Sequence, residues 1–367
     1  LTVLLIQIQI VGCGREADVE PVQLSVDRQL VPPTELIRTP GGDLVALVGE
    51  AGEGALTLYR CVSDGLNWER WQSLPAPEQI TEVDLACGGS RLAVAASRGE
   101  TIWVASCDAD PQQPDDAHFL TTDFTAEQHV VSLAIAAVAP DADTIPGLHL
   151  AYLTGDPSDS IRVMWHRWSA DGGETWSEQQ RLGDGVLGRV ALETQPGGGL
   201  TTDLGFSRER FMHWRGLSGL DYTGEFKVRL RVDHSSRNEI ARLGKEVLVA
   251  GESHRHQVLS ATSHNNGRNY EPATALGRDS DHSRVPDIDA GFGRFWVVYN
   301  AGDTLLVART ATHPSRAKLW SPGITVPVSG CLGEPSIVAL PDSTAGILYA
   351  EPGGKVSFAK VPAPVGN

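Results

Sequence analysis

The feature that most constrains this chain is a register that recurs along it. Trp68 is followed six residues later by Leu74, Trp176 by Leu182, Tyr270 by Leu276 and Trp320 by Val326. The aromatics stand 108, 94 and 50 residues apart, that is two, two and one repeats of roughly 50. Each pair ends a quartet of short alternating segments broken by Gly, Asp and Asn, as in "ELIRT", "DLVALVGE", "ALTLYRCV" and "WERWQSL" between Glu35 and Leu74. A four-stranded meander of this size buries its faces only against neighbouring copies, so a chain that repeats it must stack or close into a ring.

The reading is therefore all-β: a β-propeller of four-stranded blades occupying 22–361, with 362–367 as a tail. Six quartets fit between Thr34 and Val328. Three more strands follow, "EPSIVAL", "AGILYAE" and "KVSFAKV", and the N-terminal "PVQLSVD" completes their sheet. That predicts seven blades, with six as the alternative, and a ring that hides its sheet edges. Composition agrees, because 39 Gly and 22 Pro go with nine Trp, two Met and no long Ala/Leu/Glu/Lys run of helical period.

Charge narrows the function classes. A net charge of -16 argues against nucleic acid and anionic membranes, which are held by clustered Lys and Arg. No P-loop, G-x-S-x-G elbow or H-E-x-x-H occurs, and the cysteine spacing is not that of a zinc site. No cofactor and no metal are expected.

Residues 1–12 end in "IVG" before Cys13, and their apolar character reads as a bacterial lipoprotein signal with Cys13 as the lipidated residue and 13–21 as a tether. That predicts a lipid-anchored protein of the bacterial cell envelope, periplasmic or surface-exposed, touching the membrane only through its anchor. Cys61, Cys87, Cys107 and Cys331 then remain, as free thiols or in any of three pairings.

The segment "SADGGETWSE" places Ser169, Asp171, Gly173 and Trp176 between the third and fourth strands of a quartet. A short Asp can accept N–H groups of its own turn, and Gly permits positive φ. Weaker copies lie at the same phase: Cys61, Ser63 and Gly65 before Trp68, and Ser263, Asn265 and Gly267 before Tyr270. This pattern resembles the Asp-box, or BNR repeat, of the sialidase superfamily. The resemblance implies that these turns are structural and lie on the rim opposite a substrate face. In active members it also implies an Arg triad for the substrate carboxylate and a Tyr nucleophile. Here the stretch where the first Arg would fall is "VPPTE", near Pro32, and the downstream tyrosines are Tyr222, Tyr299 and Tyr349, with Glu225 or Glu351 as partners.

The expected function is accordingly that of a monomer binding a glycan or protein partner without demonstrable catalysis. A diverged exo-sialidase or an assembly scaffold is the alternative. The candidate ligand residues lie in three loops of the presumed substrate face: Arg208 and Arg210; Glu252, His254 and His256; and Asp281, His282 and Arg284. Trp165 and Trp168 read either as a sugar platform or as packing between blades.

Overall fold

A computed structural model of the protein describes residues 14–16, 21–24, 30–50, 55–61, 67–108, 118–138, 147–156, 162–186, 189–195, 199–207, 210–216, 222–228, 238–253, 255–276, 283–302, 305–315 and 319–364. Two short strands, β1 (Gly14–Glu16) and β2 (Val22–Gln23), come first. The first blade is β3 (Leu30–Arg38), β4 (Leu44–Glu50), β5 (Leu56–Cys61) and β6 (Glu69–Leu74). The second is β7 (Glu82–Gly88), β8 (Arg91–Arg98), β9 (Thr101–Asp108) and β10 (Leu120–Thr125), and the third β11 (Val130–Val138), β12 (Gly147–Thr154), β13 (Arg162–Ser169) and β14 (Gln180–Val186).

The fourth comprises β15 (Val190–Gln195), β16 (Gly199–Ser207), β17 (Arg210–Gly216) and β18 (Tyr222–Val228), and the fifth β19 (Asn238–Leu243), β20 (Glu246–Glu252), β21 (Val258–Ser263) and β22 (Thr274–Ala275). The sixth is β23 (Ser283–Gly291), β24 (Arg294–Ala301), β25 (Leu305–Ala311) and β26 (Gly323–Pro327). The seventh sheet holds β27 (Leu332–Leu340), β28 (Thr344–Glu351) and β29 (Lys355–Pro362), completed by β2.

Six of the sheets are four-stranded antiparallel meanders, and the sixth blade carries β1 as a fifth strand. The inner strands β3, β7, β11, β15, β19, β23 and β27 neighbour one another in turn, and β27 returns to β3, which closes the ring. Closure joins the two chain ends as expected: Val22 pairs with Phe358 and Gln23 with Ser357, while Leu24 is buried between the seventh and first blades. Within the expected tether, Gly14–Glu16 pairs in parallel with Gly323–Thr325, covering the outer edge of the sixth blade.

Burial peaks in the middle strands, as in the second blade, where β8 and β9 are more buried than the channel-lining β7 or the outer β10. β4 is buried throughout, whereas β10 alternates between exposed and half-buried residues. The reason is geometric: second strands have a blade on both faces and are near-continuous apolar runs, inner strands also carry polar residues along the channel, and outer strands face solvent. A hydrophobic core fills each gap between neighbours. The recurring register acquires a physical meaning here. Trp68, Trp176, Tyr270 and Trp320 pack into the gap toward the preceding blade, and Leu74, Leu182, Leu276 and Val326 into the gap toward the next.

The turn motif is hydrogen-bonded within itself. Ser169 Oγ accepts from Gly173 N at 2.8 Å and donates to Asp171 Oδ1 at 2.7 Å, and Asp171 accepts from the Thr175 amide at 2.9 Å and from its hydroxyl. These bonds, those from Thr175 first, hold the Asp171 carboxyl down at about 2. The fifth blade repeats the scheme: Ser263 Oγ accepts from Gly267 N at 2.9 Å, and Asn265 Oδ1 accepts from Asn269 N at 2.9 Å. Gly173 is required twice over, at φ 105° and with its position for a Cβ 2.6 Å from Ser106 Oγ of the second blade. In the first blade, Ser63 and Gly65 lie outside the described residues.

A second device repeats three blades apart. Arg167 donates to Ser177 O and hydrogen-bonds Tyr152, and Arg309 donates to Ser321 O and to the Tyr299 hydroxyl. Trp165 is packing, not platform: it is buried between the second and third blades and donates its Nε1–H to Thr154 Oγ1 at 2.9 Å. None of Cys61, Cys87, Cys107 and Cys331 is joined in a disulfide. Cys87 and Cys107 both face Leu92, so strand β8 stands between them, and burial pushes both thiols up to about 12.

Candidate functional site

All inner strands start at one end of the central channel. The turns between third and fourth strands lie at the other, which leaves the starting end as the mouth. The inner strands line a cavity of about 760 Å³, within the usual range for a small-molecule site. Its walls are polar at matching registers. Glu35, Asp84, Glu239, Asp287 and Ser336 each directly precede an aliphatic residue and pair with the corresponding residue of their second strand or its flank.

Some of these side chains stitch blade to blade. Asp84 Oδ2 accepts from Ile135 N and Asp287 Oδ2 from Ile337 N, both at 2.7 Å, and Asp289 Oδ2 from Ala339 N at 2.7 Å. Ser132 Oγ accepts from Val190 N at 3.1 Å, and Ser336 Oγ from Leu36 N at 3.0 Å, each reaching the next blade round the ring. An inner strand's channel edge has no partner strand, so its N–H groups need acceptors from elsewhere, and the neighbour's short polar side chains provide them.

Two residues nearer the mouth, the charges serve a different end. Arg189, just before β15, places Nη1 3.4 Å from Glu82 Oε2 and 3.3 Å from Glu334 Oε1. The three residues belong to the fourth, second and seventh blades, none adjacent, so the guanidinium lies over the channel. Arg162, at the start of β13, has its charged form disfavoured by burial and then by Arg189, with Glu82 opposing the shift. Glu334 is fixed at the backbone by Thr34 Oγ1, which donates to its carbonyl at 3.1 Å. At the far end, the Arg38 guanidinium covers the Phe292 ring at 4.9 Å, and burial raises the Asp289 carboxyl. The arrangement offers carboxylate acceptors and guanidinium donors around an opening, suited to an array of hydroxyls or a charged group.

Of the residues singled out in the loops, Glu252 and His256 do not line the channel. Glu252 and His256 are brought together, with Nδ1 2.9 Å from Oε1, but inside their own turn, where Ser253 Oγ caps the Arg255 and Gln257 amides and His256 takes φ 56°. Arg210 opens β17 and Arg284 lies in β23 opposite Asn300, which puts both backbones on the mouth side. Arg208, His254, Asp281 and His282 lie outside the described residues, as does Cys13. Pro32, where the family's first Arg would fall, does line the channel. Tyr299 donates to Leu276 O in the gap between blades, and Tyr349 is buried, its hydroxyl pushed up by burial and then by Glu351. Neither lines the channel. Glu35, Glu82, Arg162, Arg189, Glu239 and Glu334 were missed from sequence. For all but Arg162, the available signal was a charged residue one or three places before an inward aliphatic of successive inner strands.

Among the described residues, no group of three or more His, Cys, Asp or Glu is placed to hold a metal ion, and no helix is long and apolar enough to cross a membrane. No family model and no curated protein matches the chain. Solved structures do. The Aleuria aurantia lectin in complex with Fucα1-6GlcNAc superposes with a TM-score of 0.57 at 13% identity, over 82% of this chain and 97% of that one. A second structure of that lectin, described as a six-bladed β-propeller with a novel fucose recognition mode, gives 0.55 at 12% over 84% and 98%. The sialidase of Trypanosoma rangeli gives 0.46 at 10%, over 87% of this chain and 59% of that one. At these identities the likeness is one of fold.

Proposed function

We propose that this protein is a glycan-binding propeller of the Asp-box type whose site is the channel mouth. The observation that carries the reading is Arg189 held over the channel between Glu82 and Glu334. Ionic groups from three non-adjacent blades converge on one point, and they open onto a cavity of ligand size. The fold it shares with a fucose-binding lectin supports the same reading by analogy. So does the Ser169–Asp171–Gly173 turn, repeated at Ser263–Asn265–Gly267, which reproduces the hydrogen bonding expected of an Asp-box.

Binding is favoured over hydrolysis because Tyr299 and Tyr349 are engaged away from the mouth, leaving no tyrosine there among the described residues. The test is a glycan array with the purified chain, compared with a Glu82→Gln/Glu334→Gln variant of unchanged melting temperature. Signals present in the parent and lost in the variant are expected. Retention of every signal defeats the site, and release of aglycone from fluorogenic sialosides or arabinosides reassigns the protein to the hydrolases.

On the same footing we propose export and lipidation at Cys13. The parallel pairing of Gly14 with Gly323 puts the residue after Cys13 at the turn-rim end of the sixth blade, so an anchored propeller turns its mouth away from the membrane. Loss of detergent-phase partitioning in Cys13→Ala is the expected result. Unchanged partitioning removes the anchor.

A further inference from the structure

We propose that the turn-rim end of the channel is a second binding site, for a sugar acid, in which the Arg38 guanidinium receives the carboxylate and the Phe292 ring receives an apolar face of the sugar. The site is separate from the mouth: its residues lie at the other end of the cavity, and neither Glu82 nor Glu334 takes part. Three observations carry it.

First, Phe292 stands where the turn alone calls for glycine. Among the described residues, three hairpins join an inner strand to its second strand through two residues, closed by Gly88 opposite Arg91, Leu243 opposite Glu246 and Gly291 opposite Arg294. The first turn residue has a positive φ in all three: Gly89 at 57°, Gly244 at 61° and Phe292 at 51°. A bulky side chain is rare there, because its Cβ crowds the backbone. The ring gains little burial in exchange, since Phe292 is 51% exposed. Strain kept at an exposed aromatic points to a contact with something other than the chain itself.

Second, the fork of Arg38 is unmet. Its guanidinium interacts with the Phe292 ring, 4.9 Å away, and with the charge of Asp289, but makes no ion pair, and its Nε is buried with no acceptor. A ring occupies the face of a guanidinium and leaves the N–H groups, which lie in its plane, still to be satisfied. The carboxylate of its own turn, Asp43, is taken by Arg60, which donates to it at 2.9 and 3.2 Å, and Asp289 Oδ2 accepts from Ala339 N. A buried donor without an acceptor is an exception in a folded chain, and parallel guanidinium donors match a carboxylate.

Third, the pair is assembled across the channel end. Arg38 belongs to the first blade and Phe292 to the sixth, with the seventh between them, and both line the cavity. An occupant therefore enters the channel end, which suits a sugar ring with its carboxylate better than a flat surface laid over the rim. The net charge of -16 slows an anion at long range, whereas the contact itself is set by the local group.

The experiment is titration calorimetry on the full chain with the trimer of galacturonic acid, its full methyl ester and inorganic sulfate. The acid trimer is expected to bind about tenfold or more tightly than the ester or sulfate. Arg38→Gln should bring the acid down to the level of its ester. Phe292→Gly should weaken binding several-fold while leaving the urea midpoint unchanged or raised, because glycine suits the turn; a ring kept only for the fold would lower it. This variant also serves if Arg38→Gln fails to fold. No binding of the acid trimer, equal binding of acid and ester, sulfate binding as tightly as the acid, or undiminished binding in a folded Arg38→Gln protein overturns the proposal, as does a lowered midpoint in Phe292→Gly. Sedimentation with anionic phospholipid vesicles that Phe292→Gly abolishes overturns it in favour of a membrane contact. Array signals that depend on Glu82 and Glu334 are unaffected by any of these results, so the mouth stands or falls separately.

Discussion

The two ends of the channel are built on opposite principles. At the turn rim, the motif's polar side chains bond within their own loop: each bond made by the Ser169 and Asp171 side chains joins residues no more than four apart. At the mouth, Arg189 meets Glu334, 145 positions away, and Glu82 two blades off. The turns at the first end support stability, and the mouth holds the site of the proposed function. The comparison teaches that in a ring of repeats a chemical motif visible in sequence is more often part of the scaffold, since its locality is what makes it visible.

Acidification should break the symmetry most strongly, on the turn-rim side. His149 and His166 stack at 5.3 Å between ring centroids, with Nδ1 of the first 3.1 Å from Nε2 of the second. Burial lowers His149 to about 4 and His166 to about 3, the latter also through His149. The sign follows from linkage: in the unfolded chain these rings take up protons near pH 6.5, in the folded chain only far below it, so stability is lost as pH falls below about 6.5. The loss should approach about 1.4 kcal/mol per pH unit for each ring that stays neutral, levelling off at its folded value. Urea midpoints from pH 7 to pH 4 measure this, and a His149→Leu/His166→Leu variant should flatten the profile.

A smaller effect is expected from the turns. Ser169→Ala leaves the buried Gly173 N–H without its acceptor and should cost about 1–3 kcal/mol in chemical denaturation. Ser263→Ala should cost a similar amount, since Gly267 depends on it in the same way. A loss at one turn and not the other would break the equivalence drawn between the third and fifth blades. Asn265→Asp should lie within about 0.5 kcal/mol of the parent, because either side chain presents the oxygen that receives the Asn269 amide.

The least effect on stability belongs to the mouth. Glu334→Gln removes one partly exposed ion pair and should shift the urea midpoint by less than about 1 kcal/mol while weakening ligand binding. A large loss of stability there would mean that the mouth is also scaffold, and the contrast between the two ends would fail.

Reading the sequence recovered the blades closely, and for a stated reason. The Trp176-to-Leu182 register spans one strand and touches both neighbouring gaps, so the repeat had to show wherever the aromatic and aliphatic sides alternated. The closing strand was visible for a similar reason, since "PVQLSVD" supplied the one alternating segment left over. The site was much less visible. The His-x-His of the "ESHRHQ" loop drew attention by its residue types, yet His256 and Glu252 complete a local turn. Glu82 and Glu334 stand near the starts of inner strands, in a register that shows only when successive inner strands are compared.

What the chain determined by itself, then, was everything that depends on near neighbours: short strands of period two, turns that accept their own amides, and a fifty-residue unit that cannot be stable alone. Tertiary structure decided which of many scattered charges share a space. Closing the ring brings the starts of the inner strands to one opening, and only there do Glu82, Arg189 and Glu334, remote in sequence, come within reach of a single ligand.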